Sequence, residues 1–361
     1  YPYMRLTQES YRLGQLPLWN PYNFAGNPHI AEWQSGALYP LHILLLVLPL
    51  PIYWTLFQAI GIFLSGYFTF LYLTNLKVKK LSAIFGALSY ALSTFMFTWN
   101  AEVVVTPHSI AWLPVMLLLV DKFLVKPQRK YWLLLIASGV ASILSGYWQT
   151  TFYVLAIVFI FIPIRIFLVP PENFNRKSIT KIIAILLFCF PLMAGLTAYQ
   201  LLPTAELYSR SSRPIVNLRS DLQEILKGYL LKPQYLITYL IPDFFGHPTT
   251  RNNFSDMNGT YYEWALFIGT IPILLLPLIL LSSSRSKKLS LIFIIIAAAA
   301  GSFSFDLPHA RWVFDAHVPV LSTGITNRIL FVPAFFLSLL AGLALNGWLS
   351  TDDKKRRRFT L

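Results

Sequence analysis

Long apolar segments separated by short polar connections fill most of this chain from residue 52 onward. Each is close to the length of about 17 to 25 residues that an α-helix needs to cross the hydrocarbon core of a bilayer. We therefore expect an all-α polytopic membrane protein in which residues 1–361 form a single membrane domain. About nine transmembrane helices are predicted, near 52–74, 82–98, 109–125, 131–147, 150–169, 182–203, 263–282, 289–305 and 329–349.

The first part of the chain has a different pattern. Residues 1–16 can form a short amphipathic helix that lies in the membrane interface, and residues 41–51 are apolar but too short to span, which is typical of a re-entrant or interfacial helix. Prolines and glycines interrupt 16–40, so a structured loop at the membrane surface is expected there. The predicted parts are an external loop with an interfacial helix at 1–40, transmembrane helices 1–6 at 41–203, a large external loop at 204–262, helices 7–9 at 263–349 and a cytoplasmic basic tail at 350–361.

Composition excludes an ordinary soluble domain. Hydrophobic residues make up 56% of the chain and charged residues only 12%, against about 25% charged residues in an average soluble domain. The single cysteine, Cys189, lies inside an apolar segment. The sequence therefore predicts neither a disulfide framework nor a metal site built from cysteines.

The formal net charge of +14 could indicate a nucleic acid partner, but the distribution of the charge argues against one. Most lysines and arginines lie in the connections after every second predicted helix, beginning with Lys77, Lys79 and Lys80. The positive-inside rule makes that face cytoplasmic. The opposite, external face then holds most of the acids and all six histidines, so we expect the chemistry there.

Polar residues in two short external connections are candidates for binding a substrate. Glu102 and His108 lie in the loop 99–108, although an acid in such a loop is more often a solvated charge than a catalytic group. Gln149 lies in the turn LSGYWQTT and could donate a hydrogen bond to a sugar or a phosphate. A simple interfacial turn anchored by Trp148 is the alternative for this second loop.

Arginines open the largest external segment, against the general bias of charge. Arg210, Arg213 and Arg219 offer forked donors that match phosphate oxygens, which favours a phosphate-bearing lipid as the ligand. Contact with ordinary anionic headgroups is the alternative. Arg328, at the mouth of the ninth predicted helix, could clamp a phosphate or anchor that helix at the interface.

A divalent cation is a further candidate ligand of the same segment. Asp243, His247, Asp256 and Glu263 are ligand types that suit several divalent ions. Their spacing is irregular, so the sequence predicts no dedicated metal site and no other cofactor.

Six pieces of the sequence together carry a resemblance. In order they are LPLWNPYNFAGNP, GALYPLHIL, AWLPVMLL, LSGYWQTTFY, PDFFG followed by YYEWALFIGTIPILLL, and NRILFVPAFFLSLLAGLAL. This series covers nearly the whole chain and resembles the bacterial YfhO-like membrane protein family. That family is similar to the GT-C glycosyltransferases, integral membrane enzymes that take a sugar from a polyprenyl-phosphate carrier at the external face.

The resemblance implies a GT-C-like fold and a multi-pass glycosyltransferase of the bacterial plasma membrane. Its implied partners are membrane lipids, a polyprenyl-phosphate-linked sugar and a cell-envelope acceptor such as teichoic acid or another surface glycan. GT-C enzymes carry a catalytic aspartate just after their first span, and this chain begins downstream of that point. We therefore expect that the aspartate precedes Tyr1 and that the chain is truncated at both ends.

Two functions of other classes stay open. A transporter or flippase of lipid-linked glycans would line a cavity near the bilayer midplane with ionisable groups, and the predicted helix centres carry few. A non-catalytic membrane scaffold would have a degraded external pocket.

Among the acids in the sequence, Glu32 is predicted to be the catalytic one. It lies in the proline-rich loop beside Trp33, where partial desolvation would make its carboxylate a better base. An interfacial charge that keeps the loop out of the bilayer is the alternative. The predicted substrate-binding residues are Trp19, Asn20, His29, Gln34, Glu102, His108, Gln149, Asp243 and Glu263, and the predicted phosphate-binding residues are Arg210, Arg213, Arg219 and Arg328.

Overall fold

Most of the described residues form helices, in agreement with the predicted all-α class. The computed structural model describes residues 1–23, 25–172, 174, 179–211, 220–250, 252–254, 260–281, 283–318 and 321–351. Within these ranges the only strands are β1 (Gly246–His247) and β2 (Asn252–Asn253), which pair antiparallel.

The helices follow one another with short connections. The α-helices of the described residues are α1 (Pro2–Arg12), α2 (Leu50–Asn75), α3 (Lys80–Ala91), α4 (Thr94–Glu102), α5 (Val105–Ile110), α6 (Trp112–Val125), α7 (Arg129–Leu144), α8 (Trp148–Pro163), α9 (Ile179–Leu196), α10 (Ala198–Arg210), α11 (Ser220–Lys227), α12 (Thr270–Leu275), α13 (Ser284–Ser302), α14 (Pro308–Asp315) and α15 (Phe331–Leu349). Between them lie 3-10 helices at Trp33–Ser35, Pro40–Leu46, Pro233–Tyr239, Pro248–Thr250, Tyr261–Trp264, Leu276–Leu281, Leu321–Thr323 and Thr326–Leu330, and a π-helical turn at Ile164–Leu168.

Several helices have the length and apolar composition that crossing a membrane requires. Among the described residues there are five, or up to six if the bent pair α3 and α4 is one span. This is the pattern of a multi-pass membrane protein, although the number is lower than the nine predicted. The five are Leu50–Asn75, Val105–Val125, Trp148–Leu168, Ile179–Leu196 and Thr326–Leu349.

Even with the bent pair counted as one span, three predicted spans are absent, for local reasons. In the window 131–147, α7 has only 16 residues, which at 1.5 Å per residue is about 24 Å. The window 263–282 begins with a 3-10 turn and an extended stretch, so its helical part is only Thr270–Leu281. The window 289–305 belongs to α13, whose first two turns include Lys287 and Lys288. Averaging hydrophobicity over a window hides each of these features.

The chain divides into two compact units, which are described separately. Unit 1 contains residues 1–65 and 103–215, and unit 2 contains residues 66–102 and 216–361.

In unit 1, side chains tie the proline-rich N-terminal segment to the helices. The predicted amphipathic helix is present as α1, and Gln8 on it donates to the carbonyl oxygens of Leu45 and Leu48 at 2.9 and 2.8 Å. Trp33 donates its indole N–H to the carbonyl oxygen of Ile143 on α7. The predicted loop is therefore ordered by side chains that satisfy buried backbone groups.

A buried ion pair also lies in unit 1. Arg165, in the π-helical turn after α8, bonds both carboxylate oxygens of Asp121 on α6, at 2.6 and 2.8 Å. The two side chains are 4% and 2% exposed. Such a forked arrangement satisfies both charges where water is excluded.

In unit 2, α15 is buried on nearly every side and packs against α3 and α13. Its approach to α3 is close because small residues face each other. A Cβ atom on Gly86 would lie 2.8 Å from the carbonyl oxygen of Ser338, and one on Gly342 would lie 3.0 Å from that of Ser82. Small residues four positions apart are the usual device for bringing two membrane helices together.

The bend between α3 and α4 is also stabilised within unit 2. The two helices meet at 42°. At the start of α4, the backbone N–H of Thr94 donates to the carbonyl oxygen of Phe267 at 2.9 Å, and Thr94 Oγ1 accepts from the N–H of Phe267 at 3.1 Å. The extended stretch after Trp264 is thus hydrogen-bonded to the first residue of α4. This stretch directly follows the turn that carries Glu263.

Candidate functional site

A buried carboxylate and a guanidinium meet in unit 2. Glu263 lies on the 3-10 turn Tyr261–Trp264, and Arg328 lies on the 3-10 turn that leads into α15. Glu263 is only 3% exposed, whereas the Arg328 side chain is 26% exposed. The Nε atom of Arg328 is 3.9 Å from Oε1 of Glu263, which is beyond hydrogen-bond distance.

The carboxylate of Glu263 keeps hydrogen-bonding capacity. Its Oε2 atom is buried and has no hydrogen-bond partner among the described residues. Burial raises the pKa of Glu263 to about 7, and the nearby positive charge of Arg328 only partly offsets this effect. A carboxyl group with a pKa near neutrality can exchange a proton under ordinary conditions, which is the property of a general acid or base.

Aromatic rings frame this pair. Trp99 on α4 is 1% exposed, and the guanidinium carbon of Arg328 lies 5.8 Å from the centre of its ring. The ring of Tyr262 meets the same indole edge-on at 4.9 Å. A cation over an indole ring is attracted to it, and more strongly where water is excluded, so Trp99 holds Arg328 beside Glu263.

Beside this pair, Asn327 donates from Nδ2 to the carbonyl oxygen of Tyr229 at 2.8 Å, while its buried Oδ1 has no hydrogen-bond partner within the described ranges. A proton acceptor, a cation and two rings therefore come together, and the residue next to the cation carries a buried amide oxygen. We refer to Trp99, Tyr262, Glu263, Asn327 and Arg328 as the Glu263 site.

Two predicted site residues, Glu263 and Arg328, thus lie together. The sequence does not indicate which acid is buried, because Glu263 lies at the boundary between the predicted external loop 204–262 and the predicted span 263–282. Trp99 was not predicted at all. The signal that could have found it is an aromatic residue at the end of a predicted span, next to a predicted external loop.

Unit 1 contains a second group of buried polar residues around its histidines. His42 and His108 are both fully buried. The Tyr53 hydroxyl lies 2.8 Å from Nδ1 of His42, and Nε2 of that ring lies 3.3 Å from the carbonyl oxygen of Ser35. Since a carbonyl only accepts, Nε2 carries the proton and Nδ1 accepts from the tyrosine.

His108 repeats the same arrangement. The Tyr39 hydroxyl lies 3.2 Å from its Nδ1, and the carbonyl oxygen of Phe57 lies 2.7 Å from its Nε2. Both nitrogens are thus occupied, and the ring also stacks on Phe57 at 3.7 Å. His108 was predicted to bind substrate from an external loop; it is instead inside the helical stretch Val105–Val125, in the core of unit 1.

His29 is also fully buried. Thr7 lies 3.0 Å from its Nε2, and Nδ1 has no hydrogen-bond partner among the described residues. Burial lowers the pKa of His29 to about 4, and likewise that of His42. Predicted as a surface ligand, His29 is a core residue because the proline-rich loop folds back over α1.

The remaining predicted residues of the proline-rich loop lie nearer the surface of unit 1. Trp19 is 55% exposed, while Asn20 is buried and forms a backbone bridge with Asn27. Glu32 is half-buried and precedes the turn Trp33–Ser35, and Gln34 on that turn is exposed. The described residues of this segment form an ordered loop.

Other predicted residues are engaged locally. Gln149 in unit 1 donates to the Tyr153 hydroxyl at 2.9 Å, and Arg210 forms an exposed ion pair with Glu206 at 2.7 Å. In unit 2, Asp243 accepts from the Tyr261 hydroxyl at 2.6 Å, and Glu102 is exposed at the end of α4.

Three predicted residues lie outside the described residues, namely Arg213, Arg219 and Asp256. Within the described part of the chain, no group of three or more His, Cys, Asp or Glu side chains could hold a metal ion.

No family model matches the chain, and neither a curated protein nor a solved structure matches it. The resemblance to YfhO-like proteins therefore stays a prediction.

Proposed function

We propose that this chain is a membrane glycosyltransferase, GT-C-like in fold, that moves a sugar from a polyprenyl-phosphate donor to a hydroxyl group of a cell-envelope glycan at the external face of the bacterial plasma membrane. The observation that supports this most is the Glu263 site, where a buried carboxylate with an unoccupied Oε2 lies beside a cation. Glycosyl transfer needs a base for the acceptor and a positive charge for the leaving phosphate.

In the proposed reaction the acceptor hydroxyl gives its proton to Glu263 as its oxygen bonds to the anomeric carbon of the sugar. The bond from that carbon to the phosphate oxygen breaks, and its electron pair leaves with the polyprenyl phosphate. Arg328 neutralises the added charge on the phosphate.

We assign the base to Glu263 in preference to Glu32. Glu263 is 3% exposed and faces a guanidinium, whereas Glu32 is half-buried beside a 3-10 turn. The burial of Glu263 raises its pKa to about 7, which suits a base that works near neutral pH.

One observation bears on the transporter alternative, namely that the ionisable residues Asp121 and Arg165 lie within the candidate spans. Its two hydrogen bonds, at 2.6 and 2.8 Å, occupy both carboxylate oxygens. A satisfied forked pair fits a structural role better than a site that must release an ion in each transport cycle.

A transfer assay on the native membrane protein tests the proposal. Membranes that contain the protein are supplied with a polyprenyl-phosphate sugar labelled in the sugar, and label in the envelope glycan is measured. Glu263→Gln keeps the shape and loses the base, so we expect a loss of about 10²-fold or more in kcat with little change in donor binding. Arg328→Gln should lower kcat and should also weaken donor binding.

Matched controls separate these effects from general damage. Glu9→Gln and Glu224→Gln each remove an exposed acid, one from each unit, and should leave turnover unchanged. If Glu263→Gln has the same turnover as the parent, Glu263 is not the base. If only Glu32→Gln loses turnover, the base lies in the proline-rich loop.

A further inference from the structure

The 3-10 helix Pro233–Tyr239 lies beside a candidate membrane span, although the sequence places it in the predicted external loop 204–262. Both ends of this helix line an apolar groove of about 400 Å³, and Leu337 on α15 lines the same groove. Leu337 lies eleven residues after Thr326, where the candidate span Thr326–Leu349 begins. The 3-10 helix thus shares a groove with the middle of a span, which is not expected of a loop outside the membrane.

The groove runs along the span for about the length of the 3-10 helix. On α13 its wall extends from Ile294 to Ser302, eight residues apart, which is a rise of about 12 Å in an α-helix. Pro233–Tyr239 has 7 residues, and at about 2.0 Å per step it also rises about 12 Å. Just after α13, Ser304 donates from Oγ to the carbonyl oxygen of Thr326 at 3.5 Å. One end of the groove is therefore level with the start of the span, and the other end lies deeper.

Both ends of the segment are attached at the start of the span. Before the 3-10 helix, the carbonyl oxygen of Tyr229 accepts from Nδ2 of Asn327 at 2.8 Å. After it, Asp243 accepts from the Tyr261 hydroxyl at 2.6 Å, on the 3-10 turn of the Glu263 site. Four extended residues cover about 13 Å, so the chain can return from the far end of the 3-10 helix to this second attachment.

The outer side of the segment is apolar and exposed. Leu236, Leu240 and Ile241 are 52%, 47% and 50% exposed, and no charged residue occurs between Lys232 and Asp243. An exposed apolar patch of this kind marks contact with a membrane or with a protein. Because a candidate span lines the same groove, lipid hydrocarbon is the partner that fits, and the charged residues lie at the two attached ends.

The inner side of the segment packs on the Glu263 site. Tyr235 is fully buried. Its ring stacks on that of Phe245 at 4.2 Å and meets Trp264 edge-on at 5.8 Å. Trp264 directly follows Glu263, so the segment separates the turn that carries this acid from whatever covers the outer side.

The backbone of the segment is hydrogen-bonded internally, as backbone within hydrocarbon must be. The N–H groups of Leu240 and Ile241 both donate to the carbonyl oxygen of Ile237 at 2.9 Å. Thr238 donates from Oγ to the carbonyl oxygen of Tyr235 at 2.7 Å. The prolines at the two ends of the segment have no N–H that needs a partner.

We propose that residues 233–242 form a re-entrant segment that enters the bilayer beside α15 and returns to its surface, with Leu236, Leu240 and Ile241 in contact with lipid acyl chains. This placement is independent of the proposed reaction. The inner side of the segment then holds the turn Tyr261–Trp264 at the membrane surface.

Spin labels on single cysteines test this placement. The full chain with Cys189→Ser is reconstituted in phosphatidylcholine nanodiscs. The collision rates of each label are measured with oxygen, which concentrates in hydrocarbon, and with a nickel chelate, which stays in water. Phe63→Cys, in the middle of the candidate span Leu50–Asn75, is the hydrocarbon reference, and Thr249→Cys is the aqueous reference; both positions are exposed.

We expect the ratio of oxygen to nickel collisions at Leu236→Cys and Leu240→Cys to be several-fold higher than at Thr249→Cys and close to that at Phe63→Cys. Lys232→Cys, at one attached end, should give a lower ratio than Leu236→Cys. Equal ratios at these two positions would show that the segment lies flat on the surface, and would overturn the inference.

Two other results would also overturn it. A ratio at Leu236→Cys equal to that at Thr249→Cys would place the segment in water. Low collision rates with both reagents would show that protein covers the outer side, and dipolar broadening between labels would then identify the cover as a second copy of this chain.

Discussion

Two histidines in the core of unit 1 each receive a hydrogen bond from a tyrosine and donate one to a backbone carbonyl. His42 has Tyr53 and Ser35 as partners, and His108 has Tyr39 and Phe57. From sequence, a histidine in a polar loop is expected to be a ligand or a proton carrier. Here the partners lie between 7 and 69 residues away, so sequence spacing could not indicate that both rings are internally satisfied.

Tyr53→Phe should therefore destabilise unit 1. It removes the hydroxyl that occupies Nδ1 of His42 and leaves that buried nitrogen without a donor, at a cost of about 1 to 3 kcal/mol. Thermal unfolding in detergent measures the effect. Tyr22→Phe is the matched control, because Tyr22 is 82% exposed; equal losses in the two variants would show that the Tyr53 hydroxyl contributes nothing specific.

Glu263 gives a pH dependence of defined sign. Its pKa is raised from 4.5 to about 7 on folding, so between these values the folded state binds more protons than the unfolded state. Stability from this group is complete below about pH 4.5 and is lost as the pH rises through about 7, a total of about 3 kcal/mol. Relative to the parent, Glu263→Gln should gain stability near pH 8 and gain little near pH 5.

The buried histidines make the comparison with the parent necessary. The pKa values of His29 and His42 fall from 6.5 to about 4 on folding. The folded protein therefore loses stability as the pH drops below about 6.5. This effect is common to the parent and Glu263→Gln and cancels in their difference. A difference in unfolding temperature that is the same near pH 5 and near pH 8 would contradict the raised pKa of Glu263.

At the scale of elements, hydropathy predicts where a helix is but not how it is interrupted. The apolar window 82–98 became two helices that meet at 42°, and the extended stretch after Trp264 supplies the partner for the break through Thr94 and Phe267. The window 182–203 divides at Thr197, between α9 and α10. Such breaks depend on contacts with other segments, which an average over one segment does not contain.

The contact of α3 with α15 gives a prediction at this scale. Gly86→Val should separate these helices, because even its Cβ would lie 2.8 Å from the carbonyl oxygen of Ser338; a loss of about 1 to 3 kcal/mol is expected from overpacking. Thermal unfolding and protease resistance measure it. Gly195→Val, on α9, has nothing within 4 Å of its Cβ and serves as the control, and equal losses at both sites would exclude a close contact at Gly86.

At the scale of the whole molecule, the predicted orientation can be tested at exposed positions. Single cysteines at Gln34 and Thr250 should react with an impermeant maleimide in intact cells after Cys189→Ser, because these positions are exposed and predicted to be external. Cysteines at Lys80 and Lys126, also exposed but predicted to be cytoplasmic, should react only after the membrane is opened. Labelling of the second pair in intact cells would reverse the assigned faces.

The membrane class could be predicted from composition alone, because a chain with 56% hydrophobic and 12% charged residues does not have the composition of an ordinary soluble domain. The Glu263 site could be predicted only in part. Glu263 and Arg328 were recognised by chemical type, but their proximity joins residues 65 positions apart and depends on a 3-10 turn at each. Trp99 reaches Arg328 because α4 bends away from α3. The sequence did not predict this bend.

The buried pair of Asp121 and Arg165 has a consequence for how the protein is made. Asp121 leaves the ribosome 44 residues before Arg165, so its helix enters the membrane while its partner is still being synthesised. An uncompensated charge costs about 2.5 to 3.5 kcal/mol at the centre of a membrane helix, and Asp121 lies four residues from the end of the candidate span Val105–Val125. Until α8 and its π-helical turn arrive, α6 carries this carboxylate without its partner. We therefore expect α6 and α8 to settle in the bilayer as a pair.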